Sequence, residues 1–245
     1  MRPLFRTLCT TFLLGAVGAF APVHAAVPVI DTAGFSLSGV DELPYLGIDL
    51  VSDLPGYATF SLWGVGQAAH ASADSRGFPE ITTINHWQSG YGITVKDGYR
   101  ITGITLTGEF YAAQRPAQYS TPGAANSDTG MVVTVERPGE LPATEAQYTE
   151  GLDGRKAFRY DLAPAGLTGD MTLSLQGYTI AWAQSAWYQE DPAAGFWLGS
   201  YADAGIANLR MMVAVSPVPE PQACLMLLGG LGVVAAVARR RRRLV

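Results

Sequence analysis

The sequence predicts an all-β domain, an antiparallel β-sandwich of jelly-roll-like type. Three observations predict it. Apolar side chains recur with period two in many short runs. Gly-containing turn dipeptides separate those runs, drawing on 28 glycines and 15 prolines. No interior stretch sustains a helical period. The sandwich occupies residues 26–216, and two end segments of different character flank it, a signal peptide at 1–25 and a C-terminal segment at 217–245 that includes a transmembrane helix.

Taken in order, the chain opens with Arg2 and Arg6 ahead of a short apolar stretch from Leu8 to Phe20. Val23-His24-Ala25 then places small residues at the −3 and −1 positions that a signal peptidase reads, so cleavage is expected after Ala25. Within the domain, Gly34 to Gly39 ("GFSLSG") reads as a strand rather than a nucleophile elbow. Ala58, Phe60 and Leu62 alternate with Thr59, Ser61 and Trp63. "YGITVKDGYRITGITLTGEFY" holds two strands flanking Asp97-Gly98, a dipeptide suited to a two-residue type I′ hairpin. The apolar parity changes near Gly103, which predicts a bulge there. Met131, Val133 and Val135 precede a Pro138-Gly139 turn, and Phe158, Tyr160 and Leu162 follow Asp153-Gly154. Met171, Leu173 and Leu175 give way at Gly177 to Tyr178, Ile180 and Trp182, a pattern that places Trp182 in the core. Leu209, Met211, Val213 and Val215 form a last strand that runs into the prolines.

Charge and cysteine usage narrow the function classes. The formal net charge is −5, but seven of the 16 basic residues are arginines in the end segments. The domain between them keeps nine basic residues against twenty acidic ones, so a nucleic-acid partner is not expected. Both cysteines, Cys9 and Cys224, also fall in the end segments, which leaves the domain without a disulfide or a Cys-ligated metal. An exported domain built this way is held by its core alone.

No catalytic constellation stands out, and no cofactor motif or metal site is expected. His70 and His86 are the only histidines of the domain, and His86 reads as a loop residue beside Trp87 without a nucleophile in view. Asp41, Glu42, Asp49 and Asp53 are hard oxygen donors, but they match no calcium-loop spacing and read as a solvated acidic face. Seven aromatic residues lie between Tyr178 and Tyr201. Of these, Trp187 and Trp197 flank "QEDPAAG", a loop, and are the candidate sugar-stacking pair. Core packing is the competing role for such side chains.

The chain ends in "VPEPQACLMLLGGLGVVAAVARRRRRLV". Pro217, Pro219 and Pro221 remove backbone donors and fix φ, so this segment is expected to be extended and exposed. Ala223 to Ala238 carries no charge and as a helix spans about 24 Å, short of a ~30 Å hydrocarbon core until snorkelling arginine stems are counted. Arg239, Arg240, Arg241, Arg242 and Arg243 should stay cytoplasmic, which puts the domain outside the inner membrane. The order of Pro219-Glu220-Pro221, apolar helix and arginine cluster resembles the PEP-CTERM sorting signal of Gram-negative bacteria. That resemblance implies recognition by an exosortase, removal of the tail and passage to the cell surface, in a setting of exopolysaccharide and biofilm formation. It covers the tail alone. The expectation for the whole chain is an exported surface or extracellular-matrix protein, transiently anchored in the inner membrane, associated with exopolysaccharide and without catalytic activity. The alternatives are a carbohydrate-binding module using loop aromatics and a secreted hydrolase.

Overall fold

The computed structural model of the chain describes residues 29–218, apart from 41–43, 45, 120, 163–165 and 192–193. Ala25, Pro219, Glu220, Pro221, the apolar C-terminal run and Arg239 to Arg243 lie outside the described residues.

The elements follow from the alternating runs. β1 (Ile30–Asp31) and β2 (Phe35–Gly39) form a small hairpin. Thr32 closes it by donating its hydroxyl to the Phe35 carbonyl at 2.6 Å. β3 (Asp49–Leu54) and β4 (Tyr57–Ser61) reverse at Gly56, where φ is +97°. The short helix α1 (Trp63–Ala68) leads to β5 (Ala71–Asp74). Four strands follow: β6 (Glu80–Val95), β7 (Tyr99–Arg115), β8 (Ala124–Glu136) and β9 (Ala143–Thr149). The chain continues through β10 (Gly154–Leu162) and β11 (Asp170–Gln184), then the ribbon of β12 (Ala186–Asp191) and β13 (Ala194–Leu198), and closes on β14 (Tyr201–Pro217).

These strands form two six-stranded antiparallel sheets. The first has the order β1-β2-β6-β11-β8-β9; the second has the order β10-β7-β14-β4-β3, with β5 also pairing β14. The inward faces meet in one apolar core. Phe35, Leu37, Tyr91, Ile93, Met131 and Leu173 come from the first sheet, and Phe60, Ile104, Leu106, Phe110, Met211 and Val213 from the second. Each large apolar side chain buried this way contributes about 1.5–3 kcal/mol, the main source of stability where no disulfide is available. A sandwich-like all-β domain is what the alternation predicts.

Three local expectations met different outcomes. The bulge at Gly103 is present: β14 residue Ala214 pairs Gly103 while Val215 pairs Ile101, leaving Thr102 as the extra residue. Ile101 and Ile104 are consequently both buried. The Asp97-Gly98 hairpin is absent. β6 belongs to the first sheet and β7 to the second, so the turn carries the chain across the sandwich. The Tyr99 N–H donates to the Lys96 carbonyl at 3.1 Å, and of the two central residues only Gly98 has positive φ, at +79°. A type II turn needs that, whereas type I′ needs positive φ at both. The dipeptide announces a chain reversal but not which strand the next one will pair.

The third expectation, a change of face at Gly177, fails. β11 keeps unbroken register with β6 and β8 along its length. Its inward series runs Leu175, Gly177, Thr179, Ala181, Ala183, so Trp182 points outward and donates its Nε1–H to Glu80 Oε1 at 2.6 Å. The large side chains alone suggest the switch. At this end of the sandwich, however, the buried layer is alanine: Ala181 and Ala183 pack on Ala71, Ala73 and Ala202.

Candidate functional site

The outer face of the first sheet carries a groove of about 520 Å³. One rung of the sheet crosses four strands at its centre. His86 on β6 pairs Tyr178 on β11, Tyr178 pairs Gly130 on β8, and Gly130 pairs Tyr148 on β9. The next rung adds Gln88, Gln176 and Val132. Because strand side chains alternate, these residues share one face.

Gly130 shapes the groove. A Cβ there would sit 2.4 Å from the Tyr148 ring and 2.9 Å from the Tyr178 ring. Without it the two rings close over the backbone, with centroids 6.3 Å apart and planes 24° from parallel. Gly177 lies beside them in the groove lining. On the inner side Gly177 leaves room for the Trp87 indole, which a Cβ would meet at 2.5 Å. Burial pushes the Tyr178 phenol above its ordinary pKa, with Asp128 and Glu150 adding to the effect. The phenol is therefore a protonated donor at neutral pH.

The groove thus offers two tyrosine ring faces with their two phenols, two side-chain amides and an imidazole. Among the described residues its lining contains no carboxylate and no ammonium or guanidinium group, Asp128 and Glu150 standing just outside it. This is a surface for stacking on apolar ring faces and hydrogen bonding to neutral hydroxyls. Along β11 the outward series continues from Tyr178 through Ile180 to Trp182.

Trp187 and Trp197 lie on the β12–β13 ribbon as a directly paired couple, and most of the stretch between them is strand rather than loop. Their ring centroids are 4.6 Å apart with planes at 60°, and each is 36% exposed. The Trp187 ring lies over Gly195, where a Cβ would come within 2.3 Å of it. Tyr188 and Phe196 occupy the ribbon's other face, their centroids also 4.6 Å apart, with Tyr119 edge-on to Tyr188.

The remaining sequence candidates separate. His86 is a strand residue on the groove's rim, exposed, while its neighbour Trp87 points into the core. Asp49 stands exposed at the start of β3, and Asp53 accepts the Ala33 N–H at 3.1 Å. Asp41 and Glu42 lie outside the described residues. Among the described residues no three His, Cys, Asp or Glu side chains gather as a metal site. Sequence reasoning found the aromatic cluster from its density of rings but read its centre as a loop. It missed Gly130, Tyr148 and the two glutamines, because register across four strands is invisible in a linear pattern.

By fold and site, then, this is an antiparallel β-sandwich protein with a neutral, aromatic-walled groove on one sheet. The tail supplies what the fold does not. Residues 217–243 match the PEP-CTERM protein-sorting motif, which implies an exported protein sorted through an exosortase. No curated protein matches the chain. Among solved structures it is similar to TmCBM61 in complex with β-1,4-galactotriose, at 6% identity and a TM-score of 0.25, over 74% of this chain and 94% of that one.

Proposed function

We propose that this exported protein is released from its tail by the exosortase and retained at the cell surface or in the extracellular matrix, where its sandwich binds neutral polysaccharide without chemically altering it. The rung His86–Tyr178–Gly130–Tyr148 carries this reading: two tyrosine rings held over a bare backbone, flanked by neutral hydrogen-bonding groups. Pyranose rings present an apolar face and a hydroxyl periphery, and the groove complements both. The domain's acidic balance makes an anionic polymer the poorer ligand. Trp187 and Trp197, an exposed aromatic pair on the β12–β13 ribbon, are a further stacking surface for the same class of ligand.

The test is affinity electrophoresis of the full-length protein through gels containing soluble β-glucan, galactan, mannan or the host's own extracellular polysaccharide. Wild type should be retarded by at least one of them. Tyr178→Ala should weaken retention about tenfold or more, since an aromatic stacking contact and a hydrogen bond are each worth about 1 kcal/mol. Wild-type mobility unchanged in every gel, or Tyr178→Ala retained like wild type, would overturn the reading.

A further inference from the structure

The opposite sheet has a cavity of about 600 Å³ on its own outer face. It lies where β14 exchanges one neighbour for another. Arg210 to Ala214 pair β4, and Tyr201 to Ala204 pair β5. Between those stretches β14 bulges, its pairing with β7 shifting between Ala207 and Arg210. The Leu62 N–H donates to the Leu209 carbonyl at 3.0 Å and ties the start of α1 to the bulge.

The bulge places Asn208 at the cavity with φ of +54°, the only positive φ outside glycine among the described residues. Bulges re-aim side chains, and asparagine is among the few non-glycine residues that take the left-handed region readily, so the bulge turns its amide to the cavity. The amide is exposed and makes only a long contact, 3.4 Å, to Glu109. Around it stand Gln67, Ser61, His70 and Tyr111, with Trp63 beside them, 48% exposed. Gly47 lets the Trp63 ring lie flat against the chain, since a Cβ there would come within 2.1 Å of it. Tyr111 lies over Gly205 in the same way, its hydroxyl 2.7 Å from where a Cβ would be. Burial first, and Asp203 second, push the Tyr111 phenol up, so it remains a donor. His70 is oriented by Asp203, Nε2 to Oδ1 at 2.8 Å, and Glu109 is paired with Arg155 at 2.7 Å.

An indole face, two amides, a phenol, a hydroxyl and an oriented imidazole, with the nearby carboxylates already paired, repeat the chemistry of the groove with different residues. We infer that this cavity is a second site for neutral glycan, and that the protein joins two polysaccharide chains. The two sites lie on opposite outer faces of a sandwich whose sheets are about 10 Å apart, so one straight polymer segment cannot occupy both. Two sites facing away from each other on one rigid body make a cross-link, with avidity toward a network that neither site has alone. This inference rests on the polysaccharide reading of the first groove.

The experiment compares full-length wild type, Tyr178→Ala, the double variant Asn208→Gly/Gln67→Ala, and the combination of all three. The probes are soluble β-glucan, galactan and mannan, with retention and solution turbidity as readouts. Glycine suits the backbone at 208, and Gln67 is exposed, so the double variant keeps the fold and should melt with wild type. Wild type should raise turbidity by linking chains. Each site variant should remain bound, about tenfold or more weaker, yet produce no turbidity, and the combination should not bind. Turbidity from Asn208→Gly/Gln67→Ala equal to wild type would overturn the second site. So would complete loss of binding in Tyr178→Ala alone, which would leave the first groove as the sole site. Complete loss in Asn208→Gly/Gln67→Ala with none in Tyr178→Ala would instead remove the first groove, and bridging with it.

Discussion

At Gly130 one absent methyl group shapes the candidate groove. The strand would accept alanine, but the paired tyrosine rings would not, since the Cβ falls 2.4 and 2.9 Å from them. Gly130→Ala should therefore cost about 1–3 kcal/mol as an overpacked site and also splay the rings, so that stability and glycan retention fall together. Gly103→Ala is the control. Its Cβ meets open space and its φ is not positive, so denaturant midpoints should stay within about 0.5 kcal/mol of wild type. A second residue-scale prediction concerns buried hydroxyls. Ser127 Oγ is buried with no hydrogen-bond partner. Ser185 Oγ bonds the Ser75 carbonyl at 2.7 Å and the Ser75 hydroxyl at 2.8 Å. Removing an unsatisfied polar atom relieves a desolvation cost, whereas removing a partner creates one. Chemical denaturation should show Ser127→Ala neutral or up to about 1 kcal/mol more stable, and Ser185→Ala less stable by about 1–3 kcal/mol. None of this was legible in the sequence. A glycine in a strand pattern signals close approach, but what approaches is set by strands far away in the chain.

At the scale of elements the sequence showed where chain reversals and kinks fall better than it showed pairing. Gly98, Gly139 and Gly154 all have positive φ at the turns their dipeptides announced. The bulge at Gly103 was visible because it shifts large apolar residues from one parity to the other. What lay hidden was the partner of each strand, as at Asp97-Gly98, and the face of a strand whose buried side chains are small. β11 is the instructive case. Large side chains suggested a switch of face at Gly177, but register with both neighbours runs straight through it, and alanines fill the interior instead. The two readings differ measurably. If Trp182 is an outward, half-buried residue bonded to Glu80, Trp182→Ala should cost about 1–2 kcal/mol, the hydrogen bond plus the covered part of the indole. Leu175→Ala, at a fully buried position of the same strand, should cost about 2–5 kcal/mol. Equal and large losses in thermal or urea unfolding would restore the switched face. Scattered over four strands, the groove stayed unread for the same reason: its residues meet only once the order β6-β11-β8-β9 is known.

For the whole molecule, the folded domain hands over directly to the sorting tail. β14 is the central strand of the second sheet, paired along its length with β7 and near its C-terminal end with β4. It runs to Pro217, and the Val218 N–H still bonds the Gly98 carbonyl at 2.8 Å. The next three residues are Pro219, Glu220 and Pro221, inside the segment that matches the PEP-CTERM motif. A cut beyond residue 218 therefore leaves every described strand intact. Prolines at 219 and 221 cannot donate to another ladder, and Glu220 is costly to draw into lipid unpaired, so the segment is suited to presentation at the membrane surface. The arginines at 239–243 resist translocation and would hold the chain until the tail is cut. Replacing Pro219-Glu220-Pro221 with three alanines leaves every strand and hydrogen bond of the described residues in place, the last of them at Val218. Cells carrying that variant should accumulate full-length protein in the inner membrane, with the domain still protease-resistant, as should cells lacking the exosortase. The measurement is fractionation with immunoblotting against the domain, comparing mass and location with wild type. Tail loss and export at the wild-type rate from the triple-alanine chain would show that the apolar run and arginines suffice, and that the Pro-Glu-Pro segment is not what the exosortase reads.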